Sequence, residues 1–424
     1  MDSEAQQMNP LDGIDPAFIS ALGVCDVKVL RGVAENPNTP SGVLAVLAKE
    51  KRAGVRQGVA FNSNASPELL AVLATDRSKG VREHVAFNRR APAESLAVLA
   101  TDESWDVRVG VANNPSTPPE VLAKMVADAS IDMLGAVAKN PSTPPEVLAK
   151  LATKSGTVGA YALANPNVPL EVLTVCAEAV GALEASSRRA TAAGNPNTPS
   201  DVLGKLANDE YDLARANVAG NPNTPPEVLK ALATDEKERV RAGVARNPNT
   251  SVEVLEALAN DPSEWWVRSM VVSNPNTPFH VVRALASDEA KQVRGAVGQN
   301  GSEPLEMIGT LAADREERVR NSVAINRSTP TNLLEVLSAD PDPKVRSGVA
   351  GNPNTPPEVL VRLAADPNDL VRLQVGNNLS TPPDVLARLA ADPNEDVRGN
   401  IRYQALSWEA LVPLLITSVG PDGT

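Results

Sequence analysis

The stretch from Asn352 to Asn377, NPNTPPEVLVRLAADPNDLVRLQVGN, decides the fold, because nearly every part of it recurs down the chain. Its leading asparagine returns at Asn36, Asn62, Asn88, Asn114, Asn140, Asn165, Asn195, Asn221, Asn247, Asn274, Asn300, Asn326 and Asn378, giving fourteen units mostly 26 residues apart. A fixed period of this size marks stacked supersecondary units, so one unit can be read for all. Thr355 is expected as an N-cap, with a proline at the first helical position and Glu358 completing a capping box. Val359, Leu360, Leu363 and Ala364 then recur at helical spacing on one side, and the helix ends near Asp366. A second helix carries Val371, Arg372, Val375 and Gly376. Helices of about ten residues are marginal alone, so each pair must be stabilised by its neighbours.

The expected fold is therefore all-α: an α-solenoid of about fourteen two-helix repeats with terminal caps. Residues 1–35 form the expected N-terminal cap and 36–403 the repeat solenoid, with an irregular stretch at 128–194. At 404–424, Gln404 stands where the next anchor should fall and the shortened SWEALVPLL follows, which reads as a capping unit and tail.

Composition agrees. The 424 residues are 42% hydrophobic but only 3% aromatic, so the core must be built from small aliphatic side chains, and 36 prolines exclude long helices and ordinary central strands. Forty basic against 52 acidic residues give a net charge of -12, which opposes general attraction to nucleic acid or anionic lipid and favours basic partners. Cys25 and Cys176 cannot make a disulfide framework and suggest a reducing compartment. The opening MDSEAQQMNP lacks a signal peptide's basic and apolar regions, and the uncharged apolar run at 410–420 is too short for a membrane span. A cytoplasmic protein with no membrane segment is expected.

Two columns of polar residues follow the repeat. An asparagine at the same point in every turn can bond its own turn and the next, placing Asn274 and Asn276 above Asn247 and Asn249. An acid is also followed six residues later by arginine, as in Asp102 and Arg108, Asp209 and Arg215, Asp235 and Arg241, Asp340 and Arg346, and Asp366 and Arg372; in Asp261 and Arg268 the gap is seven. Such pairs can form a ladder of charge-assisted bonds within and between units, rather than a basic groove that grips phosphates.

The phrase NPNTPPEVLxxLAxDxxxxVRxxVA resembles the leucine-rich repeat variant family, and its Asp to Arg ladder is also similar to HEAT repeats. The resemblance covers almost the full chain. It implies a right-handed superhelix of alternating short helices, some of 3₁₀ type, and little about activity. In some relatives an iron–sulfur segment precedes the repeats, but Cys25 alone cannot hold such a cluster.

No catalytic, metal or cofactor residue is assigned. His84 and His280 have no marked nucleophile, two distant cysteines make a zinc site improbable, and no phosphate loop occurs. Three departures from the repeat point instead to binding. Between residues 128 and 189 the ladder fails: Leu134 and Gly159 take the arginine position and Lys154 that of the acid, which suggests repeat decay, or a hinge or recessed site around Tyr161, Cys176 and Arg188. One extra residue before Arg268 sets Trp265 beside Trp266; the two cannot share a helix face, so one is expected to be exposed. Phe61, Phe87 and Tyr403 stand just before the anchor position, where other units carry Gly220, Gly351, Lys139 or Arg246. The reading is a non-enzymatic scaffold or adaptor that binds a protein, possibly a basic one, along its extended surface. The alternatives are a HEAT-like nucleic-acid-binding protein or enzyme, or a binder of a small ligand at the irregular middle repeats.

Overall fold

The computed structural model describes residues 27–127, 130–179, 183–263, 265–300 and 305–398. Tyr403, the capping unit at 404–424 and most of the expected N-terminal cap lie outside the described residues. Among those described there are 28 complete helices, the start of another at 395–398 and no strand, and both helices of each pair are α-helical rather than 3₁₀.

In the unit read above, the first helix is Pro357–Leu363 and the second Asp369–Asn377. The first starts where a proline at N1 loses no needed donor. Its N-cap, however, is Pro356, and the expected cap Thr355 does other work. The Thr355 side chain is buried, and its hydroxyl donates at 2.5 Å to the carbonyl of Val349, in the last turn of the helix just completed. A buried hydroxyl needs an acceptor, and a helix C-terminus offers carbonyls without one. Thr117, Thr224, Thr250, Thr329 and Thr381 repeat this bond at 2.5–2.6 Å. True side-chain caps stand elsewhere: Ser66, one position later in its unit, accepts from the Leu69 amide, and Asn368 caps the second helix by accepting from the Leu370 amide.

The apolar positions of both helices face each other and the next unit. Val359, Leu360, Val371 and Val375 are completely buried, and Leu363 nearly so. Second helices also pack directly on one another, closely enough that size matters. A Cβ on Gly58, Gly110 or Gly243 would lie 2.9 Å from the Cβ of Ala34, Ala86 or Ala219 in the preceding second helix.

The asparagine column forms as expected and sets the repeat distance. Asn352 donates from Nδ2 to the carbonyls of Ala324 at 2.8 Å and Asn326 at 2.9 Å, while its Oδ1 accepts from the Asn354 amide at 2.9 Å. Asn274 does the same with Ala245 and Asn247, and the Asn276 side chain reaches the Pro248 carbonyl. One amide thus satisfies three backbone groups that neither helix can reach.

The chain divides into two compact units, the described residues of one running to Asn167 and those of the other from Val168. In the first, the second helices Val27–Glu35, Ala53–Phe61, Lys79–Phe87, Trp105–Asn113, Ile131–Lys139 and Gly156–Ala164 pack in succession. Its last repeat is one residue short. Gly156 takes a positive φ of 68°, and the backbone closes on Gly159 so tightly that a Cβ there would lie 2.0 Å from the Lys154 carbonyl oxygen. The space an arginine side chain fills in other repeats is absent. In the second unit the row runs from Leu183–Gly194 to Asp369–Asn377. Leu183–Gly194 has 12 residues against nine in most second helices, which takes up three of the four extra residues of that repeat.

Candidate interaction face

The ladder is present, but its rungs join different partners from those the spacing of six suggests. Arg346 sends Nη1 to the backbone carbonyl of Asp340 at 2.7 Å, while Nε and Nη2 grip the carboxylate of Asp366, in the next repeat, at 2.7 and 3.0 Å. The carboxylate of Asp340 is held in turn by Arg320, 20 residues earlier. The same forked pairing joins Arg56 to Asp76, Arg82 to Asp102, Arg215 to Asp235, Arg241 to Asp261, Arg268 to Asp288, Arg294 to Asp314 and Arg372 to Asp392, at 2.6–2.7 Å. Arg189, which has no acid six residues before it, belongs to the ladder as well and grips Asp209 at 2.5 Å. Arg108 bonds the Asp102 carbonyl at 2.6 Å.

These groups are mostly sheltered; the Arg346 and Asp366 side chains keep 16% and 6% of their exposure. Burial pushes the Asp366 carboxyl upward, yet the bonds from Arg346 and the Asn368 amide, with the charges of Arg346 and Arg372, outweigh it and hold the carboxyl below its ordinary value. Asp340, Asp235 and Asp209 are lowered by the same balance. With the guanidinium groups of the forked pairs engaged by carboxylates, and Arg108 bonded to backbone carbonyls, the ladder arginines do not form an open basic groove.

What remains open is the outer side of the second helices. Counting back from the anchor asparagine, positions one, four, five and eight lie on this side, with one and eight the open ones and four and five largely covered by neighbouring second helices, as at Gly58, Gly110 and Ala242. It holds most of the candidate binding residues. Phe61 and Phe87 are 63% and 50% exposed, and the His84 ring meets Phe61 edge-on with centroids 6.0 Å apart. The His84 ring nitrogen Nδ1 is engaged with the Gly80 carbonyl, so this side chain is held by its own helix. Tyr161 is half-buried, with the Lys139 ammonium 3.8 Å from its ring centroid, a cation–π contact in the first unit. In the second unit, Trp266 is 40% exposed and opens the helix Trp266–Val272, while Trp265 at its N-cap is half-buried; neither fills the core. Arg188 approaches the buried Cys176 with Nη2 3.5 Å from Sγ, whereas Tyr161 belongs to the other unit.

Sequence reasoning passed over several residues of the second helices. Trp105, which opens the helix Trp105–Asn113, is 44% exposed, and Arg239, Arg246 and Met270 border a groove with Trp266. The signal was available in the variation at these positions from repeat to repeat, but it needed the helical register to be visible. Among the described residues, no group of three His, Cys, Asp or Glu side chains could hold a metal ion, and no helix is long and apolar enough to cross a membrane.

Comparison with known proteins places the repeat. The leucine rich repeat variant family matches residues 105–130, 238–263 and 343–368, and the leucine rich repeat variant domain matches 187–246. No curated protein matches the chain. Among solved structures, a leucine-rich repeat variant described as having a novel repetitive structural motif is 27% identical, covering 53% of this chain and 88% of its own, with a TM-score of 0.38. A mutant of Kap121p is 13% identical over 96% of this chain with a TM-score of 0.30, and this chain spans only 52% of it. Kap95p, described as inducing the switch loops of RanGDP to adopt the GTP-bound conformation when it binds, is 13% identical over 94% of this chain and 62% of its own, with a TM-score of 0.28. The family matches fall on helix pairs that carry the asparagine column, and over residues 105–130, 187–263 and 343–368 the chain is similar to the leucine-rich repeat variant family.

Proposed function

We propose that the chain is a non-enzymatic scaffold or adaptor that binds a protein partner along the outer side of its second helices. The observation that carries this reading is a contrast within each helix. Residues touching neighbouring repeats keep their type, because every repeat offers nearly the same surroundings. The outer positions change from Phe61 to Lys139 to Gly220 to Arg246, and at several places they expose aromatic side chains. Exposed aromatics beside a rigid scaffold suit interface anchors. A cytoplasmic setting and a net charge of -12 favour a partner with basic regions. The forked ion pairs along the ladder argue against the phosphate-gripping alternative.

The test is partner capture with the chain as bait, comparing wild type with a variant in which Trp265 and Trp266 are both changed to Ala. Because neither side chain is in the core, the variant should fold, and affinity for the captured partner should fall by about 2 kcal/mol or more. A folded variant that retains full binding, together with equal retention when Phe61 and Phe87 are changed to Ala, would overturn the reading.

A further inference from the structure

The chain carries a net charge of -12, yet the groove beside Trp266 has no carboxylate in its lining. It is a hollow of about 510 Å³ within the second unit, formed where the second helices Asp212–Gly220, Glu238–Arg246 and Trp266–Val272 lie side by side, with Gly194 of the preceding second helix at its edge. Its floor is made of residues with almost no side chain: Gly220, Ala242 and Gly243. A Cβ on Gly243 would lie 2.9 Å from that of Ala219, so the helices touch there and the floor is closed. The third helix gives the hollow an apolar wall of Met270 and Trp266, Leu213 lines it from the first helix, and the middle helix between them carries the cations Arg239 and Arg246.

The two arginines differ from those of the ladder. Arg246 is exposed, is paired to no acid among the described residues, and extends over the floor with Nη2 4.0 Å from where a Gly220 Cβ would be. Arg239 is 50% exposed, with its Nε 3.6 Å from an Asp212 carboxylate oxygen. The acids of this region, Asp212 and Glu238, stand at helix N-termini outside the lining. A glycine floor admits a backbone close to the protein, the apolar wall takes a side chain, and two guanidinium groups offer forked bonds to carboxylates.

We infer that this groove binds an acidic peptide segment of the partner, laid across the second helices with an apolar side chain against Met270 and Trp266 and carboxylates on Arg246 and Arg239. This rests on the scaffold reading and deepens it, since it assigns the groove a charge opposite to the one the whole chain prefers. A nucleic acid fits less well: it would bring many phosphates to a strongly acidic chain for the sake of two cations, and it has no use for the apolar wall.

The probes are two short fluorescent peptides, one alternating glutamate and leucine and one alternating lysine and leucine, with a single-stranded oligonucleotide of similar length, each titrated against the full chain by anisotropy. The glutamate peptide should bind, and Arg246→Glu should weaken it at least ~10-fold, as for loss and reversal of a close charge pair. Gly220→Leu, at an open and exposed position, should weaken it by filling the floor, and thermal melting checks that both variants fold. Binding of the lysine peptide as tightly as the glutamate peptide, or binding of the oligonucleotide alone, would overturn the inference. So would binding of the glutamate peptide that neither variant changes. In any of these cases the scaffold reading is judged separately, by partner capture with the tryptophan and phenylalanine variants.

Discussion

The repeats from Asp314 to Arg398 and the repeats from Ile131 to Ala164 have the same helix pairs but are held in different ways. In the former, every second helix carries an arginine that bonds its own turn and grips a carboxylate of the next repeat where that repeat is described. In the latter, Leu134 is buried in the arginine position, and at Gly159 the backbone has closed over the space. The asparagine column nevertheless runs through both. Asn165 bonds the carbonyls of Ala138 and Asn140 at 2.8 Å, much as Asn352 bonds those of Ala324 and Asn326. The helix pair can be built without the ion-pair ladder, and both versions keep the asparagine and the buried threonine, Thr143 in one and Thr355 in the other. Backbone groups at a buried turn must be satisfied in any version of the repeat, whereas an ion pair can be replaced by apolar packing.

The largest effect should therefore come from the asparagines, and it should be the same in both regions. Changing either Asn352 or Asn165 to Ala removes the side-chain bonds to one carbonyl and one amide, and the second bond to a carbonyl that keeps its turn amide, Asn326 from Thr329 and Asn140 from Thr143, which costs about 3 kcal/mol in each case. Urea unfolding of the two variants measures this. A much smaller loss at Asn165 than at Asn352 would break the comparison, by showing that the turns of the ladderless repeats have another source of support.

The ladder variant should cost less. Arg346→Ala removes the forked bonds to Asp366 and the cap on the Asp340 carbonyl, but Asp366 keeps the bond from the Asn368 amide at 2.9 Å. The expected loss is about 2 kcal/mol, from a sheltered carboxylate left with one partner fewer. Its sharper form is a double-mutant cycle: Arg346→Ala should couple to Asp366→Asn and not to Asp340→Asn. Coupling to Asp340 instead would restore the pairing that the spacing of six residues suggests.

That spacing shows what the sequence made legible. The period, the helix pair and the apolar faces were all visible in residues 352–377, because each is a local pattern repeated many times. The true rung was also there, since a pair six residues apart in a 26-residue repeat is equally an arginine followed 20 residues later by an acid. Only the packing of one repeat on the next decides between the two. Thr355 was misread for a related reason. N-capping is a local preference, and burial against the preceding helix overrode it. The interaction face was half legible: Trp266, Phe61 and Phe87 stand out as aromatics in a chain poor in them, but Arg246 and Met270 become notable only when the helices are placed side by side.

The smallest effect is also the one that separates the two regions by chemistry alone. Asp340, Asp366 and Asp392 have carboxyl groups held below their ordinary values, Asp392 chiefly by its bond from Arg372 and the other two by bonds and charges that outweigh burial. A carboxyl whose folded value is depressed binds its proton more readily in the unfolded chain. Its stabilising contribution is complete above the ordinary carboxylate range and is lost as pH falls through the lower, folded value. Acidification from neutral pH to about pH 3 should therefore loosen the repeats from Asp314 to Arg398 progressively. The repeats from Ile131 to Ala164 have no such rung to lose, since Leu134 and Gly159 cannot ion-pair. Hydrogen exchange resolved by peptide, corrected for the intrinsic pH dependence of exchange, reads both regions in one sample. Protection should fall first in the ladder repeats and later between Ile131 and Ala164. Simultaneous loss in both would show that the repeats unfold as one cooperative block, with the ladder's titration shared along the chain instead of confined to the repeats that contain it.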